Sequence, residues 1–416
     1  EATQSGAVTP ETLIPKQQYF IKESVYQCMI AATGLAPPWG NVSGVRPVKI
    51  PTRMMREAGQ ESHDVERILQ EKYHITPLRA QLATTCAKKA IEVQDAIPDH
   101  SVSLYVGIPF CPSRCHYCSF TSSHVGDKLI ADFFDGLLSE IEITAKSTAP
   151  RTIHTLYIGG GTPTILSEHQ LEILLAKLGH CFDLTQCKEI TVEAGRPDTL
   201  SAQKLTILRK FGVDRICLNP QSMNDAVLQA LGRNHTAQDI KYWYSKVEGM
   251  QVNMDLIAGL PSDTFESFCN SLEQVIALKP HQITVHTLAV KKGANITVRN
   301  ELSSLLPSEI VLKMVDYAWE RLQSQDYAPY YLYRQKYMSG GFENVGWCRE
   351  DAISHYNVIM MEELDTVVGV GGGGMTKVLG QGRFERVANP KYPHDYLRLL
   401  DEILSKKNDI FRSDTI

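Results

Sequence analysis

From Ser101 onward the chain repeats a two-beat pattern that few architectures satisfy. Short apolar, β-branched runs occur at Leu104–Ile108, Thr155–Ile158, Glu189–Val192, Arg215–Leu218, Asn253–Ile257 and Gln282–Thr287. Longer segments with helical periodicity separate them, at Asp127–Lys146, Ser167–Cys181, Ser201–Phe211, Asn224–Leu231 and Thr264–Leu278. A strand followed by a helix, repeated, places consecutive strands parallel, with each helix crossing back over the sheet in the right-handed sense. Strands that are apolar almost throughout suit a sheet covered on both faces, or one curled into a partial barrel with a filled interior. The spacing Ser167-x-x-Gln170 predicts a capping box, and Ser201 predicts an N-cap.

The flanks have a different texture. Residues 1–100 read as a helical accessory region, with helices at Lys16–Thr33 and Leu78–Val93 around a turn-rich connector, Leu35-Ala-Pro-Pro-Trp-Gly40 then Gly44-Val-Arg-Pro47. After about residue 300 the repeat stops. Ser308–Gln323 predicts an amphipathic helix, Tyr330–Gln335 and Asp365–Val370 strands, and Tyr392–Leu404 a terminal helix. The expected division is therefore 1–100, accessory; 101–300, the α/β core; and 301–416, a smaller α+β extension on the substrate side. A net charge of −5 over 416 residues argues against a dedicated nucleic-acid binder. No apolar run reaches the roughly 18 residues of a membrane span. Glu1–Thr12 carries no secretory leader pattern, and a start at Glu1 rather than Met points to a trimmed or partial sequence. Ten cysteines are too few for a disulfide scaffold and, without a leader, place the chain in a reducing cytoplasm.

Three of those cysteines lie within eight residues, Cys111, Cys115 and Cys118, in a loop directly after the first core strand. The other seven suit small buried hydrophobes. The spacing Cys-x3-Cys-x2-Cys supports three readings. Three thiolates can hold three irons of a cubane cluster and leave the fourth open. Zinc is the rival, completed by His116 or His124. A redox Cys-x2-Cys is the third. Further polar signals fall after the next strands. Gly159-Gly160-Gly161-Thr162 lets the backbone turn sharply beside a ligand, or is a plain tight turn. Glu193 ends the third strand, Gln221 follows the fourth, Arg233 lies twelve residues on, and Asp255 sits inside the fifth. A lone Asp in an apolar strand is costly unless it is paired, as with Arg233, or holds a ligand. The run Gly369–Lys377 lacks the Gly-Lys-Ser/Thr ending of a phosphate loop and predicts a turn packed against the barrel.

Together, the thiolate loop in Tyr105-Val-Gly-Ile-Pro-Phe-Cys111, Gly-Gly-Gly-Thr-Pro-Thr, Gln221-Ser-Met-Asn-Asp and Asp255-Leu-Ile-Ala-Gly-Leu-Pro resemble the radical S-adenosylmethionine (SAM) superfamily. Within it they resemble the oxygen-independent coproporphyrinogen III oxidase family, coproporphyrinogen dehydrogenase-like branch. The resemblance implies a partial (β/α)6 barrel, a 4Fe–4S cluster on Cys111, Cys115 and Cys118, and SAM on its open iron. One-electron reduction would cleave SAM to a 5′-deoxyadenosyl radical, so no side chain is assigned as the catalytic group. It also implies that Gly159, Gly160, Gly161, Thr162, Glu193, Gln221, Arg233 and Asp255 line the SAM site and that Tyr105 and Tyr117 flank the cluster. The implied reaction is oxidative decarboxylation of coproporphyrinogen III propionates to vinyls in haem synthesis, with an unidentified electron donor. Arg196, Arg334 and Lys336 are candidates to grip propionates, because arginine suits carboxylates. The chain departs from the family at Gly107, where well-studied oxidases have His. Haem-handling relatives with a similar cluster segment make a haem chaperone, or another tetrapyrrole-modifying relative, the alternative.

Overall fold

The structure, a computed structural model, describes residues 10–118, 126–290, 305–336, 338–380 and 384–411. They divide between two compact units, Glu1–Ala87 and Lys88–Ile416. The first contains α1 (Pro10–Thr33), α2 (Lys49–Ala58), α3 (Ser62–Tyr73) and the start of α4 (Pro77–Asp95). Glu23 ties α1 to the end of α3, meeting His74 Nε2 at 2.9 Å and accepting from Asn41 Nδ2 at 2.8 Å. Trp39, Val65 and Leu69 are buried beneath.

The second unit is built on β1 (Ser101–Ile108), β2 (Thr152–Gly160), β3 (Glu189–Glu193), β4 (Arg215–Cys217), β5 (Gln251–Ala258) and β6 (Gln282–Thr287). These six pair in order and in parallel, as the alternation requires. The helices between them are α5 (Asp127–Thr148), α6 (Glu168–Cys181), α7 (Ala202–Lys210), α8 (Asp225–Ala230), α9 (Ala237–Tyr244) and α10 (Phe265–Leu278). The capping box at α6 is formed: Ser167 Oγ accepts from Gln170 N (3.2 Å), and Gln170 Oε1 accepts from Ser167 N (3.0 Å). Ser201 caps α7.

Beyond residue 300 come α11 (Ser308–Gln323), β7 (Ala328–Arg334), β8 (Glu343–Cys348), α12 (His355–Glu362), β9 (Val367–Gly371), β10 (Met375–Leu379) and β11 (Phe384–Ala388). The expected terminal helix is two, α13 (Pro393–Arg398) and α14 (Leu400–Asn408), broken at Leu399. These strands extend the same sheet, in the order β11-β10-β9-β1-β2-β3-β4-β5-β6-β8-β7. β9 lies parallel to β1, while β8 and β10 run antiparallel to their neighbours. Among the described residues the two edges, β11 and β7, do not meet, so the barrel is open. Among the described residues no helix is long and apolar enough to cross a membrane.

The Gly-rich run forms the β9–β10 turn and packs on β1, with Gly372 N donating to Gly107 O at 3.0 Å. A side chain at Gly107 would overlap Gly372 O, and one at Gly371 would overlap Gly107 O. The turn is anchored by the buried Glu140 of α5, whose Oε2 accepts from Gly371 N (2.8 Å) and Tyr396 Oη (2.6 Å). Buried Lys407 lies 3.6 Å from Glu140 Oε1. Phe110, which leads into the thiolate loop, packs edge-on against Phe133 of α5 at 5.2 Å.

Candidate active site

Parallel strands bring all their carboxyl ends to one edge, which is where barrels of this kind carry their sites. The thiolate loop, the glycine run, Glu193 and Gln221 lie at or just past such ends, whereas Asp255 lies inside β5 and Arg233 follows α8. A cavity of about 560 Å³ opens there, within the usual range for small-molecule sites. Its wall includes Cys111, Cys115, Cys118, Tyr105 and Tyr117 from β1 and its loop, and Gly160, Gly161 and Thr162 after β2. Glu193, Arg196, Gln221, Arg233 and Asp255 also line it.

The loop after β1 is held from both sides. Thr162 N donates to Phe110 O (2.7 Å), Gly161 N donates to Ile108 O (2.7 Å), and Cys111 Sγ meets Thr162 Oγ1 at 3.3 Å. A Cβ on Gly161 would collide with the Phe110 backbone, and one on Gly159 with the Glu193 carboxyl. Gly161 is thus required by the close approach of the Phe110 backbone. Across the loop, His116 N donates to Leu231 O at 3.0 Å and Ser113 Oγ to Gly232 O at 3.2 Å.

Glu193 accepts from Tyr157 Oη at 2.7 Å and from Gly160 N at 3.2 Å. Burial pushes its pKa up to about 7; the Tyr157 hydrogen bond opposes the rise and the Asp255 charge adds to it. Tyr157 stacks on Tyr356 at 4.4 Å, and Tyr105 lies 6.2 Å from Tyr157. Burial holds all three phenols above the usual range, so they stay protonated. Gln221 adopts φ 65°, in the left-handed region that a non-glycine side chain disfavours. Its backbone bonds to Asp255 O (2.8 Å) and Ile257 N (3.0 Å) fix that geometry. Its Oε1 has no partner, nor has Asn219 Oδ1 or Arg233 Nε. Unsatisfied polar atoms on a cavity wall fit a polar ligand.

Arg233 and Asp255 do not pair. Arg233 Nη2 donates to Gly195 O (2.8 Å) and Asn219 O (2.9 Å), and its Nη1 to Tyr117 Oη (3.3 Å) and Cys115 Sγ (3.7 Å). Asp255 instead accepts from Asn253 Nδ2 (2.7 Å) and lies 3.5 Å from His286 Nε2. Arg196 lines the cavity, but Asp198 and the thiolate loop occupy its guanidinium, a different use from the propionate grip expected of it. Arg334 ends β7, donates Nε–H to Gly341 O at 2.8 Å, and is not part of the lining; neither is Lys336. Gly159 sits just behind the wall.

Sequence reasoning missed Tyr157, Tyr356, Asn253, His286, Met360 and Met361, which also line the cavity. His286 carried the same signal as Asp255, a polar residue inside an apolar strand. Tyr157 is the register partner of Tyr105. Tyr356 and the two methionines come from α12, which no local pattern connects to β1. Among the described residues no three His, Cys, Asp or Glu side chains are close enough to hold a single metal ion. A cube spreads its ligand sulfurs over separate irons, whereas zinc gathers them on one. His116 does not line the cavity, and His124 lies outside the described residues.

An open parallel sheet with three thiolates at its carboxyl edge is the arrangement of a radical SAM protein, and residues 105–275 match the radical SAM superfamily. The chain is 34% identical to the oxygen-independent coproporphyrinogen-III oxidase-like protein HemZ of Bacillus subtilis, over 91% of this chain and 77% of that one. It is 30% identical to the heme chaperone HemW of Lactococcus lactis, over 74% of this chain and 79% of that one. In fold it is similar to the coproporphyrinogen III oxidase HemN of Escherichia coli, a radical SAM enzyme, with a TM-score of 0.60, 24% identity, and coverage of 75% of this chain and 72% of that one. The chain belongs to the HemN-like family of radical SAM proteins. Its cofactors are those of the superfamily, a 4Fe–4S cluster and SAM. The residues present fit both: the three thiols share a cavity with a glycine cradle and with unsatisfied amide and guanidinium atoms.

Proposed function

We propose that this chain is an oxidoreductase of the cytoplasm that oxidatively decarboxylates two propionates of coproporphyrinogen III to vinyls, giving protoporphyrinogen IX. The observation that carries this reading is the convergence, on one cavity, of the three cysteines with an aromatic and methionine wall suited to a flat macrocycle. Cys111, Cys115 and Cys118 ligate the cluster. Gly160, Gly161 and Thr162 offer backbone groups to the amino-acid end of SAM, and Gln221, Arg233 and Asp255 offer polar contacts around it. When bound, the cluster and SAM would supply a hydrogen-abstracting radical after one-electron reduction by an external donor, and the electron released as each propionate loses CO2 would pass to an external one-electron acceptor.

The protein's own residues do the rest. The Tyr105, Tyr157 and Tyr356 wall excludes water and positions the substrate ring. Tyr157 and Gly160 orient the Glu193 carboxyl, whose raised pKa lets it hold or release a proton near neutral pH. Arg334 and Lys336 are the remaining propionate candidates, since Gln335 between them lines the cavity.

A second reading, a haem-binding chaperone, is favoured by two observations. Among the described residues, the arginines that line the cavity (Arg196, Arg215, Arg233) all have protein partners. Position 107 has no room for the side chain that well-studied oxidases carry there. Anaerobic incubation with reductant, SAM and coproporphyrinogen III separates the two. Divinyl product with two CO2 released per macrocycle is expected. Stoichiometric haem binding without turnover would favour the chaperone.

A further inference from the structure

We propose that Arg196 is a positioning residue for the cluster. It clamps the loop that carries Cys111, Cys115 and Cys118 and sets a positive charge, partly offset by Asp198, against the Cys115 sulfur. This rests on the radical SAM reading and goes beyond it, because it assigns a control on how readily the cluster accepts an electron.

The arginine starts from a fixed point. It follows β3 and precedes Pro197, which restricts it to extended backbone, and its φ −125° and ψ 105° comply. Its carbonyl accepts from both Thr199 N (3.0 Å) and Thr199 Oγ1 (2.8 Å). Thr199 Oγ1 in turn meets Thr164 Oγ1 at 2.7 Å. From there the side chain, 4% exposed, spends its donors in two directions. Nε and Nη2 form a fork on Asp198 Oδ1 (3.1 Å) and Oδ2 (3.0 Å). Nη2 also donates to Ser113 Oγ (2.9 Å), and Nη1 to Ser113 O (3.3 Å) and Cys115 Sγ (3.7 Å). One guanidinium thus grips the loop at a carbonyl, a hydroxyl and a sulfur. A lysine, with a point charge and no planar fork, cannot reproduce that.

Two of the three sulfurs consequently have unequal surroundings. Cys111 meets a neutral hydroxyl on Thr162, whereas Cys115 receives N–H groups from two guanidiniums, Arg196 and Arg233. Hydrogen bonds and positive charge at a ligand sulfur favour the reduced cluster and raise its potential. Burial leaves these charges weakly screened. Arg233 also serves Gly195, Asn219 and Tyr117, so it is committed to the cavity wall. Among the described residues the Arg196 guanidinium hydrogen-bonds only to the loop and to Asp198, which makes the Arg196–Asp198 pair a local setting for the cluster.

The test is potentiometry of the anaerobically reconstituted full chain, titrated with a chemical reductant and followed by electron paramagnetic resonance of the reduced cluster. Arg196→Met removes the cation and leaves Asp198, so the midpoint moves to more negative potential. Asp198→Asn removes the anion and leaves the guanidinium, so the midpoint moves to more positive potential. A role in holding the loop alone predicts no such opposition. Equal midpoints in wild type and both variants, or shifts of one sign, overturn the proposal. If Arg196→Met holds no iron, Asp198→Asn decides: a positive shift supports the proposal, and any other result overturns it. A wild-type chain that binds no iron would defeat the radical SAM reading itself, whereas about four irons per chain with invariant midpoints defeats only this inference.

Discussion

Glu189 and Glu193 open and close the same five-residue strand and do opposite things. At the amino end, Glu189 Oε2 lies 2.8 Å from Arg215 Nη1. The same carboxylate accepts from Ser354 Oγ (2.9 Å), His355 N (3.0 Å) and Tyr356 N (2.9 Å), the first turn of α12. The buried charge is closed on a cation and a helix N-terminus. At the carboxyl end, Glu193 has a phenol and one backbone N–H, no cation among the described residues, and a pKa pushed up to about 7 by burial. One strand therefore carries a satisfied charge that holds the fold and a strained one that faces the cavity. A paired charge lies at the floor of the sheet and a desolvated carboxyl at its rim.

The largest expected effect tests the floor. Glu189→Ala leaves Arg215 buried without its anion and should cost about 3–5 kcal/mol, read from denaturant unfolding. Iron content after reconstitution should stay at the wild-type level; loss of iron without loss of stability would erase the contrast between the two ends.

Glu193→Gln tests the rim through pH. A carboxyl whose folded pKa lies above its unfolded value binds the proton more tightly when folded. Its contribution to stability is full below about 4.5 and is lost as pH rises to about 7. The stability difference, wild type minus Glu193→Gln, should therefore fall across that window, by an amount on the order of 3 kcal/mol. A flat difference would mean that Glu193 is not desolvated.

Gly107→Ala asks whether the rim is closed at β1. The added Cβ meets Gly372 O, so a loss of about 1–3 kcal/mol is expected in the same unfolding measurement. A neutral effect would show that the β9–β10 turn yields easily. The smallest effect is expected of Ser354→Ala, which removes the N-cap of α12 and one bond to Glu189. It should cost about 1 kcal/mol and leave the pH dependence of the rim unchanged.

The parallel strands were legible because each is a short apolar run bounded by a helix, and the sequence spacing placed Cys111, Gly160, Glu193 and Gln221 at one edge. Strands β8, β10 and β11 were not. Glu343-Asn-Val-Gly-Trp-Cys348 carries two polar residues and shows no alternation, yet it is buried as β8, where Asn344 Oδ1 accepts from Thr287 N at 2.9 Å. β10 and β11 are short and partly exposed and leave little apolar trace. In the cavity, motif residues could be named singly, but their partners could not. Pairing Asp255 with His286, Glu193 with Tyr157, and Arg196 with Cys115 depends on strand register and on a loop crossing, which local pattern does not encode. The alternative reading of Asp255, a pair with Arg233, fails for that reason: the backbone carbonyls of Gly195 and Asn219 hold the guanidinium at the loop.

The central claim is that Cys111, Cys115 and Cys118 together hold a cluster open to SAM, and Cys115→Ala tests it most directly. Wild-type protein reconstituted without oxygen should carry about four irons per chain and release 5′-deoxyadenosine from SAM under reduction. The variant should lose both. Full iron content together with undiminished 5′-deoxyadenosine release in Cys115→Ala would contradict the account.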